Sequence, residues 1–124
     1  SFSSIINLPS SDFQKIVKDL TGISDKIEIQ SVGNELCFKC SGQFAKVEIV
    51  RAESDGSMEI VSKQDTSKII HGEFSLKNLG YFIKCTNLCQ QIEMYLENDL
   101  PLVVKYHVAS LGEIKLCLAP LPSS

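Results

Sequence analysis

One apolar helical stripe, set among segments that alternate like strands, most constrains the fold of this chain. Between residues 9 and 22, apolar side chains recur at i, i+3, i+4 and i+7, the spacing of a helix that rests on a larger structure. The stripe consists of Phe13, Ile16, Val17 and Leu20. We therefore expect this helix to bury one face in the core and to leave the other face to solvent.

Both ends of this helix carry sequence signals. Pro9 is followed by Ser10, Ser11 and Asp12, which predict N-capping oxygens and an acidic first turn. Gly22 stands where a left-handed C-cap is expected. The sequence therefore predicts both boundaries of the helix as well as its buried face.

Two lysines lie away from the stripe, and a second helical segment repeats the pattern. Lys15 and Lys18 occupy the polar flank of the first helix. In the segment from Leu76 to Leu88, Lys77 and Lys84 are seven residues apart and share the outward side of an otherwise apolar helix. Surface lysines usually only solvate a helix, but the repetition favours a surface that meets an anion.

The rest of the chain alternates with period two and predicts antiparallel strands. The predicted strands cover residues 1–8, 26–32, 35–40, 44–52, 58–61, 69–75, 91–96, 102–108 and 113–118. Gly33 and Asn34 predict a tight hairpin turn, because both tolerate positive φ. The order of the elements predicts an α+β fold in which two helices pack on antiparallel sheets.

The predicted order also contains an internal repeat. Each half reads strand, helix and then a run of strands, which favours a pseudo-twofold arrangement of β-α-β units. If this symmetry holds, the two helices lie side by side and their lysines form one positive surface.

Length and charge limit the classes of function. The 124 residues fit one domain, and the net charge of −3 gives no overall attraction to nucleic acid. Any such binding must come from local clusters of cations. The longest apolar runs are far shorter than the roughly 20 residues of a membrane span, and the first residues lack the pattern of a signal peptide. We expect an intracellular chain without a membrane partner.

The five cysteines predict free thiols. They are Cys37, Cys40, Cys85, Cys89 and Cys117. An odd, scattered set fits a reducing compartment better than a disulfide framework. Cys37 and Cys40 form a CxxC, but residues three apart in a strand face opposite sides and cannot share one ion. A zinc site remains the alternative interpretation of these cysteines. We expect them to act as small hydrophobic side chains in the core, and we expect no metal and no cofactor.

The sequence contains no residue pattern that is typical of an enzyme active site. The two histidines, His71 and His107, fall in predicted strands without a nearby nucleophile or carboxylate pattern, and a strand histidine is more often structural than catalytic. The glycines lack the spacing of a phosphate-binding loop. We therefore predict a non-catalytic protein.

Three segments resemble one known family, the eukaryotic proliferating cell nuclear antigen, which is a DNA sliding clamp. LPSSDFQKIVKDL is similar to the first helix of its second domain, FSLKNLGYFIKCTNL to the second helix, and LPLVVKYHVASLGEIKLCLAP to the closing hairpin. The resemblance covers about residues 3 to 120. It implies the DNA-clamp fold and a processivity factor for DNA polymerase that forms a ring around duplex DNA.

The resemblance implies a role for each lysine face. By position, Lys15, Lys18, Lys77 and Lys84 correspond to the basic residues that line the central hole and follow the DNA backbone without sequence preference. The implied partners are double-stranded DNA, DNA polymerase and other PIP-box proteins, and a clamp loader. The implied setting is DNA replication and repair in the nucleus.

The resemblance also implies a groove for partner peptides of the PIP-box type. Its residues in this chain are Pro101, Cys117, Leu118, Ala119 and Pro120. At Cys117 the chain departs from the family, which usually has a tyrosine that contributes to the pocket. The preference of this groove is therefore expected to differ.

The segment from Phe44 to Ala52 is the implied subunit interface. In the family this strand pairs antiparallel with an edge strand in the N-terminal domain of the next protomer. The sequence fits, because apolar and charged side chains alternate on a short strand, although an interior strand would look similar. The candidate residues are Phe44, Lys46, Val47, Glu48, Ile49, Val50 and Arg51.

A protomer of that family has two such domains, and three protomers close the ring. We interpret residues 1–124 as one clamp domain, the C-terminal domain of a two-domain protomer that self-assembles together with its N-terminal domain. A single-domain clamp would need six copies. The alternative function is a checkpoint-type clamp subunit that acts as a protein-binding scaffold, but the ending LCLAP and the lysines favour the replication clamp.

Overall fold

The computed structural model describes residues 2–86 and 89–122, without the side chain of residue 86. The helices are α1 (Ser10–Thr21) and α2 (Leu76–Thr86). The strands are β1 (Ser4–Pro9), β2 (Lys26–Val32), β3 (Glu35–Ser41), β4 (Lys46–Ala52), β5 (Glu59–Lys63), β6 (Ile70–Ser75), β7 (Gln91–Leu96), β8 (Leu102–Val108) and β9 (Gly112–Leu118). A short 3-10 helix, Glu53–Asp55, joins β4 to β5.

The strands form two antiparallel sheets. The five-stranded sheet has the order β5-β1-β7-β8-β9, and the four-stranded sheet has the order β4-β3-β2-β6. The first half of the chain (β1, α1, β2, β3, β4) repeats as the second half (β6, α2, β7, β8, β9), with β5 as an addition. The first strand of each half pairs with the meander of the other half, β1 with β7 and β6 with β2. The predicted α+β class and repeat are confirmed.

One core joins both sheets to the pair of helices. The predicted α1 stripe is buried along its whole length, with each side chain at most 2% exposed. Burial of a large apolar side chain contributes about 1.5–3 kcal/mol, so this stripe fixes α1 on the sheets. Phe13, Phe38 and Phe74 are the largest fully buried side chains. α1 and α2 pack against each other, as the repeat predicts.

The predicted caps of α1 are wrong, although its boundaries are confirmed. Pro9 itself occupies the N-cap position, and no side-chain hydrogen bond caps the helix there. Ser10 Oγ instead donates to the backbone oxygen of Cys89, at 2.5 Å, and Asp12 accepts from Arg51. Gly22 has φ −76°, which is right-handed. Asp12 does lie in the first turn, as predicted. The oxygens of Ser10 and Asp12 are engaged by distant parts of the chain, which local sequence rules do not represent.

Several strand ends differ from the prediction by one to three residues. β4 begins at Lys46, so Phe44 lies in the turn before the strand. β5 runs to Lys63, into the segment predicted as loop. Leu88, predicted as the end of the second helix, lies outside the described residues.

Two glycines occupy positions where a side chain would be unfavourable, one because of its positive φ and one because of a close contact. Gly33 has φ +57° in the two-residue turn between β2 and β3, as predicted. Asn34 does not share this conformation, since Asp99 is the sole non-glycine residue with positive φ in the described ranges. Gly42 lies so close to α1's end that a Cβ would stand 2.4 Å from the Ile23 carbonyl oxygen.

Candidate functional site

The helix pair carries the predicted lysines on its solvent side. All four are exposed, because the apolar stripes of α1 and α2 turn the opposite sides of both helices into the core. They are Lys15, Lys18, Lys77 and Lys84. Within the described part of the chain, none of them lies within ion-pair distance of a carboxylate. Their charges are therefore available to a polyanion such as a phosphate backbone.

Tyr81 belongs to the same exposed side of α2, and the sequence reasoning missed it. It follows Lys77 by four residues and precedes Lys84 by three, so helical spacing was the available signal. Its side chain is 55% exposed, and Lys84 Nζ lies 5.8 Å from its ring centroid. Beside it, a surface cavity of about 470 Å³ reaches the loop after α1, including Ser24 and Asp25.

β4, the candidate interface strand, is a sheet edge. It pairs with β3 on one side and ends the order of the four-stranded sheet. The alternative of an interior strand is therefore wrong. Val47 and Ile49 pack partly against the core, whereas Val50 points outward. Phe44, just before the strand, is 93% exposed.

Two of the charged side chains on β4 are already engaged within the domain. Glu48 lies 3.3 Å from Lys39 Nζ. Arg51 donates twice to Asp12, at 2.7 and 2.9 Å, and this hydrogen bonding raises the pKa of Arg51. The charges of Glu48 and Arg51 are therefore only partly available to another subunit.

The predicted groove residues come together at the end of the β8–β9 ladder. Leu102 and Leu118 are opposite each other, so Pro101 and Ala119 follow at the same edge and are both exposed. Cys117 is exposed on the outer face of β9. Leu118 instead points into the core, so only its backbone is available to a peptide.

The chain end beyond Pro120 lies along β6. The Leu121 N–H donates to the Glu73 carbonyl oxygen at 2.7 Å. Further along the same strand, the Asn98 side chain accepts from the His71 N–H, at 2.8 Å, and donates to the Ile69 carbonyl, at 3.3 Å. These contacts occupy backbone groups at the second edge of the four-stranded sheet. On β4 the comparable contacts lie at its C-terminal end, where Ser57 Oγ bonds to the Ala52 N–H and carbonyl and Arg51 donates to the Val50 carbonyl.

The cysteines divide into two groups. Cys37 and Cys40 are buried, as predicted, and burial raises the pKa of both thiols. The core prediction is wrong for Cys85 and Cys117, which are exposed because they lie on the outward sides of α2 and β9. Cys89 follows the end of α2 and is half-buried; burial raises its pKa.

Neither histidine is buried. His71 Nδ1 lies 3.4 Å from Glu28 and His107 Nε2 lies 3.7 Å from Glu113. Across residues 2–86 and 89–122, no group of three or more His, Cys, Asp or Glu side chains is placed to hold a metal ion. No helix in these ranges is long and apolar enough to cross a membrane.

Comparisons with known proteins identify relatives of this chain. A family described as "Proliferating cell nuclear antigen, C-terminal domain" matches residues 1–121. The chain is 36% identical over 97% of its length to a "Probable DNA polymerase sliding clamp" of Acanthamoeba polyphaga mimivirus. It is 34% identical over 98% of its length to "Probable DNA polymerase sliding clamp 1" of Paramecium bursaria Chlorella virus 1.

A solved structure matches the fold. The proliferating cellular nuclear antigen of Entamoeba histolytica superposes with a TM-score of 0.84 at 24% identity, over 98% of this chain and 46% of that one. This chain spans 25% and 47% of the two viral proteins. With a family match over residues 1–121, the chain belongs to the family of proliferating cell nuclear antigen C-terminal domains.

Proposed function

We propose that this chain is the C-terminal domain of a DNA sliding clamp, a ring that encircles duplex DNA and holds DNA polymerase on its template. The observation that carries the proposal is the exposed, unpaired lysine set on α1 and α2 (Lys15, Lys18, Lys77, Lys84) in a domain whose net charge is −3. The viral relatives named as probable DNA polymerase sliding clamps support it.

The mechanism requires no catalytic step. Lysines on one pair of helices attract phosphates wherever the duplex presents them, because the backbone charge is regular and independent of sequence. Topological closure of the ring then prevents dissociation, so weak and nonspecific contacts suffice and the clamp can slide. We propose the nucleus as its compartment on the resemblance alone.

The test replaces all four lysines by Glu in the full-length protomer. We expect loss of retention on circular DNA after loading, because the local potential is reversed. The fold should survive, since all four side chains are exposed. The matched control changes four other lysines to Glu and keeps the same net charge. They are Lys26, Lys39, Lys68 and Lys115. Normal sliding of the helix variant would refute the DNA role and leave the checkpoint-type scaffold as the better function.

We also propose that the groove at Pro101 and residues 117–120 binds partner peptides of the PIP-box type. In the resembling family, a linker before this domain supplies another wall of the groove. A peptide should therefore bind this 124-residue chain far more weakly than the full-length protomer, as measured by titration calorimetry. Equal affinities would show that the linker is dispensable.

The third part of the proposal concerns ring closure through β4. An unpaired edge strand presents free backbone donors and acceptors to another chain. Continuous pairing across the subunit boundary would satisfy these groups and cover Phe44, which supports β4 as the interface. The expected partner strand lies in the N-terminal domain of the neighbouring protomer.

A further inference from the structure

A row of directly opposed residues crosses the outer face of the five-stranded sheet. Cys117 on β9 is opposite Val103 on β8, Val103 is opposite Tyr95 on β7, and Tyr95 is opposite Ile5 on β1. Opposed residues project from the same face of a sheet. Because neighbouring strands lie about 4.8 Å apart, the row is roughly 14 Å long.

This row faces away from the core. The adjacent residues Met94 and Val104 are fully buried on the inner face, so Tyr95 and Val103 must project outward. Val103 is nevertheless only 5% exposed, so other side chains already cover it on this face. The structure therefore has an apolar strip on a face that would normally be polar.

Polar side chains border the strip. The next outward row consists of Glu93, Lys105 and Lys115, which are opposite one another in turn. On the other side, Glu97 accepts a hydrogen bond from Ser3. A narrow apolar strip with a charged border is typical of a surface that binds an extended peptide.

The ring of Tyr95 is held in place from three sides. The Phe2 ring meets it edge-on, with centroids 5.5 Å apart, and Lys105 Nζ lies 4.6 Å from its centroid. The hydroxyl donates to the Glu93 carboxylate, which raises the pKa of Tyr95 to about 12. A fixed, neutral aromatic ring loses little conformational entropy when a ligand packs against it.

The strip ends in the groove proposed above. Cys117 is its β9 end, and Pro101 and Ala119 lie immediately beyond it on the same edge. The resembling family usually has a tyrosine at the position of Cys117, and here that aromatic group is absent from β9. Tyr95, two strands away along the same row, offers an aromatic side chain on the same face.

We propose that Tyr95 is the aromatic wall of the peptide groove in this protein, in place of an aromatic residue at position 117. This rests on the proposed function of the groove. An extended partner peptide lays an aromatic or long aliphatic side chain against the Tyr95 ring, on the side that faces the Cys117 thiol. The site is therefore wider than one walled by an aromatic side chain at 117, and it selects a larger anchor.

The experiment measures binding of a fluorescein-labelled PIP-box peptide to the full-length protomer by fluorescence anisotropy. Tyr95→Ala should weaken binding about tenfold or more, as expected for an aromatic anchor contact. Tyr95→Phe should stay within about twofold, because the ring and not the hydroxyl meets the peptide. The matched control, Tyr81→Ala, removes an exposed tyrosine from the helix face and should leave the affinity unchanged.

Further variants separate this inference from the groove itself. Ala119→Asp should abolish binding if the groove is correct, so a harmless Ala119→Asp would refute the proposed groove. Unchanged affinity in Tyr95→Ala together with lost affinity in Ala119→Asp would refute only the role of Tyr95. Unchanged affinity with lowered thermal stability of Tyr95→Ala would mean that another segment of the protomer covers the strip, which also overturns the inference.

Two additional variants test whether a folding defect explains the loss of binding and whether an aromatic residue at position 117 can replace Tyr95. Tyr95→Thr retains a strand-forming residue and should weaken binding as Tyr95→Ala does, even if the alanine variant folds poorly. Cys117→Tyr restores an aromatic group on β9, and in that background the loss caused by Tyr95→Ala should fall to a few-fold. If Tyr95→Ala still caused a tenfold loss of affinity in the Cys117→Tyr background, Tyr95 would not be acting in place of an aromatic residue at position 117.

Discussion

Arg51 links the candidate interface strand to α1 through its paired hydrogen bonds to Asp12. Both side chains are about three-quarters buried, so the pair is less screened than a surface ion pair. We expect Arg51→Met to lower the free energy of unfolding by about 1–2 kcal/mol, as measured by urea denaturation. The control Lys26→Met removes an exposed partner of Glu73 at 3.7 Å and should cost less than about 0.5 kcal/mol.

A double variant tests whether the two residues act together. Asp12→Asn should cost a similar amount, and the combination with Arg51→Met should cost clearly less than the sum of the two. Simple additivity would mean that the observed geometry contributes no coupling energy.

Glu97 gives the domain an acid-sensitive contact. Its carboxylate accepts from the Ser3 hydroxyl and from the Asn98 N–H, and the Ser3 hydrogen bond in particular holds the pKa of Glu97 below its usual range. A lowered folded pKa stabilises the native state above the ordinary value of about 4.3. That contribution is lost as the pH falls through the folded value.

We therefore expect Glu97→Gln to reduce the fall in the free energy of unfolding at acid pH. Urea unfolding of the wild type should show falling stability below about pH 4.3, and the variant should lose less across the same range. Ser3→Ala, which removes the main cause of the shift, should have a smaller effect in the same direction. An identical fall at acid pH in all three proteins would contradict this assignment.

At the scale of the elements, β4 should behave as an edge strand in the isolated domain. In an antiparallel pair, alternate residues of a strand direct their N–H groups toward the partner. Hydrogen exchange should therefore show alternating protection along Lys46–Ala52 in a dilute monomer. In an assembled ring the unprotected amides should become protected as well. Uniform protection in the monomer would contradict the edge assignment.

The elements were largely predictable from the sequence, because periodicity decides which side chains a helix or strand can bury. The strands 26–32, 91–96 and 102–108 have the predicted boundaries, and the lysines of α1 and α2 are exposed as expected. Helical and strand periods fix the face of a residue. They do not fix which other element covers that face.

The misses follow from contacts between residues distant in sequence. Asp12 was expected to cap α1, but Arg51, 39 residues later, takes its carboxylate. Cys117 was expected in the core by residue type, yet its position on the outer face of β9 exposes it. The row through Tyr95 depends on the registers of four strands, and no single-segment pattern contains that information.

At the scale of the whole molecule, ring closure should require more than this domain. Light scattering should give the mass of a monomer for the 124-residue chain, because β4 has its proposed partner strand in another domain. The full-length protomer should form a closed ring, and Phe44→Ser should shift that ring toward smaller species by removing an apolar side chain at the boundary. The control Val61→Ser, on the exposed part of β5, should leave the mass unchanged. A stable six-copy ring of this chain alone would refute the two-domain interpretation.

The pairing of each half's first strand with the meander of the other half also determines how the domain is synthesised and folded. During synthesis β1 leaves the ribosome well before its neighbour β7, which begins only at Gln91. Neither half can complete its sheet alone, and most of the stabilising contacts join residues far apart in sequence. Such topologies fold slowly, in milliseconds to seconds, and as one cooperative unit. Until β7 emerges, Ile6 and Leu8 of β1 lack the strand that they pair with, so the partly synthesised domain exposes apolar surface that favours aggregation.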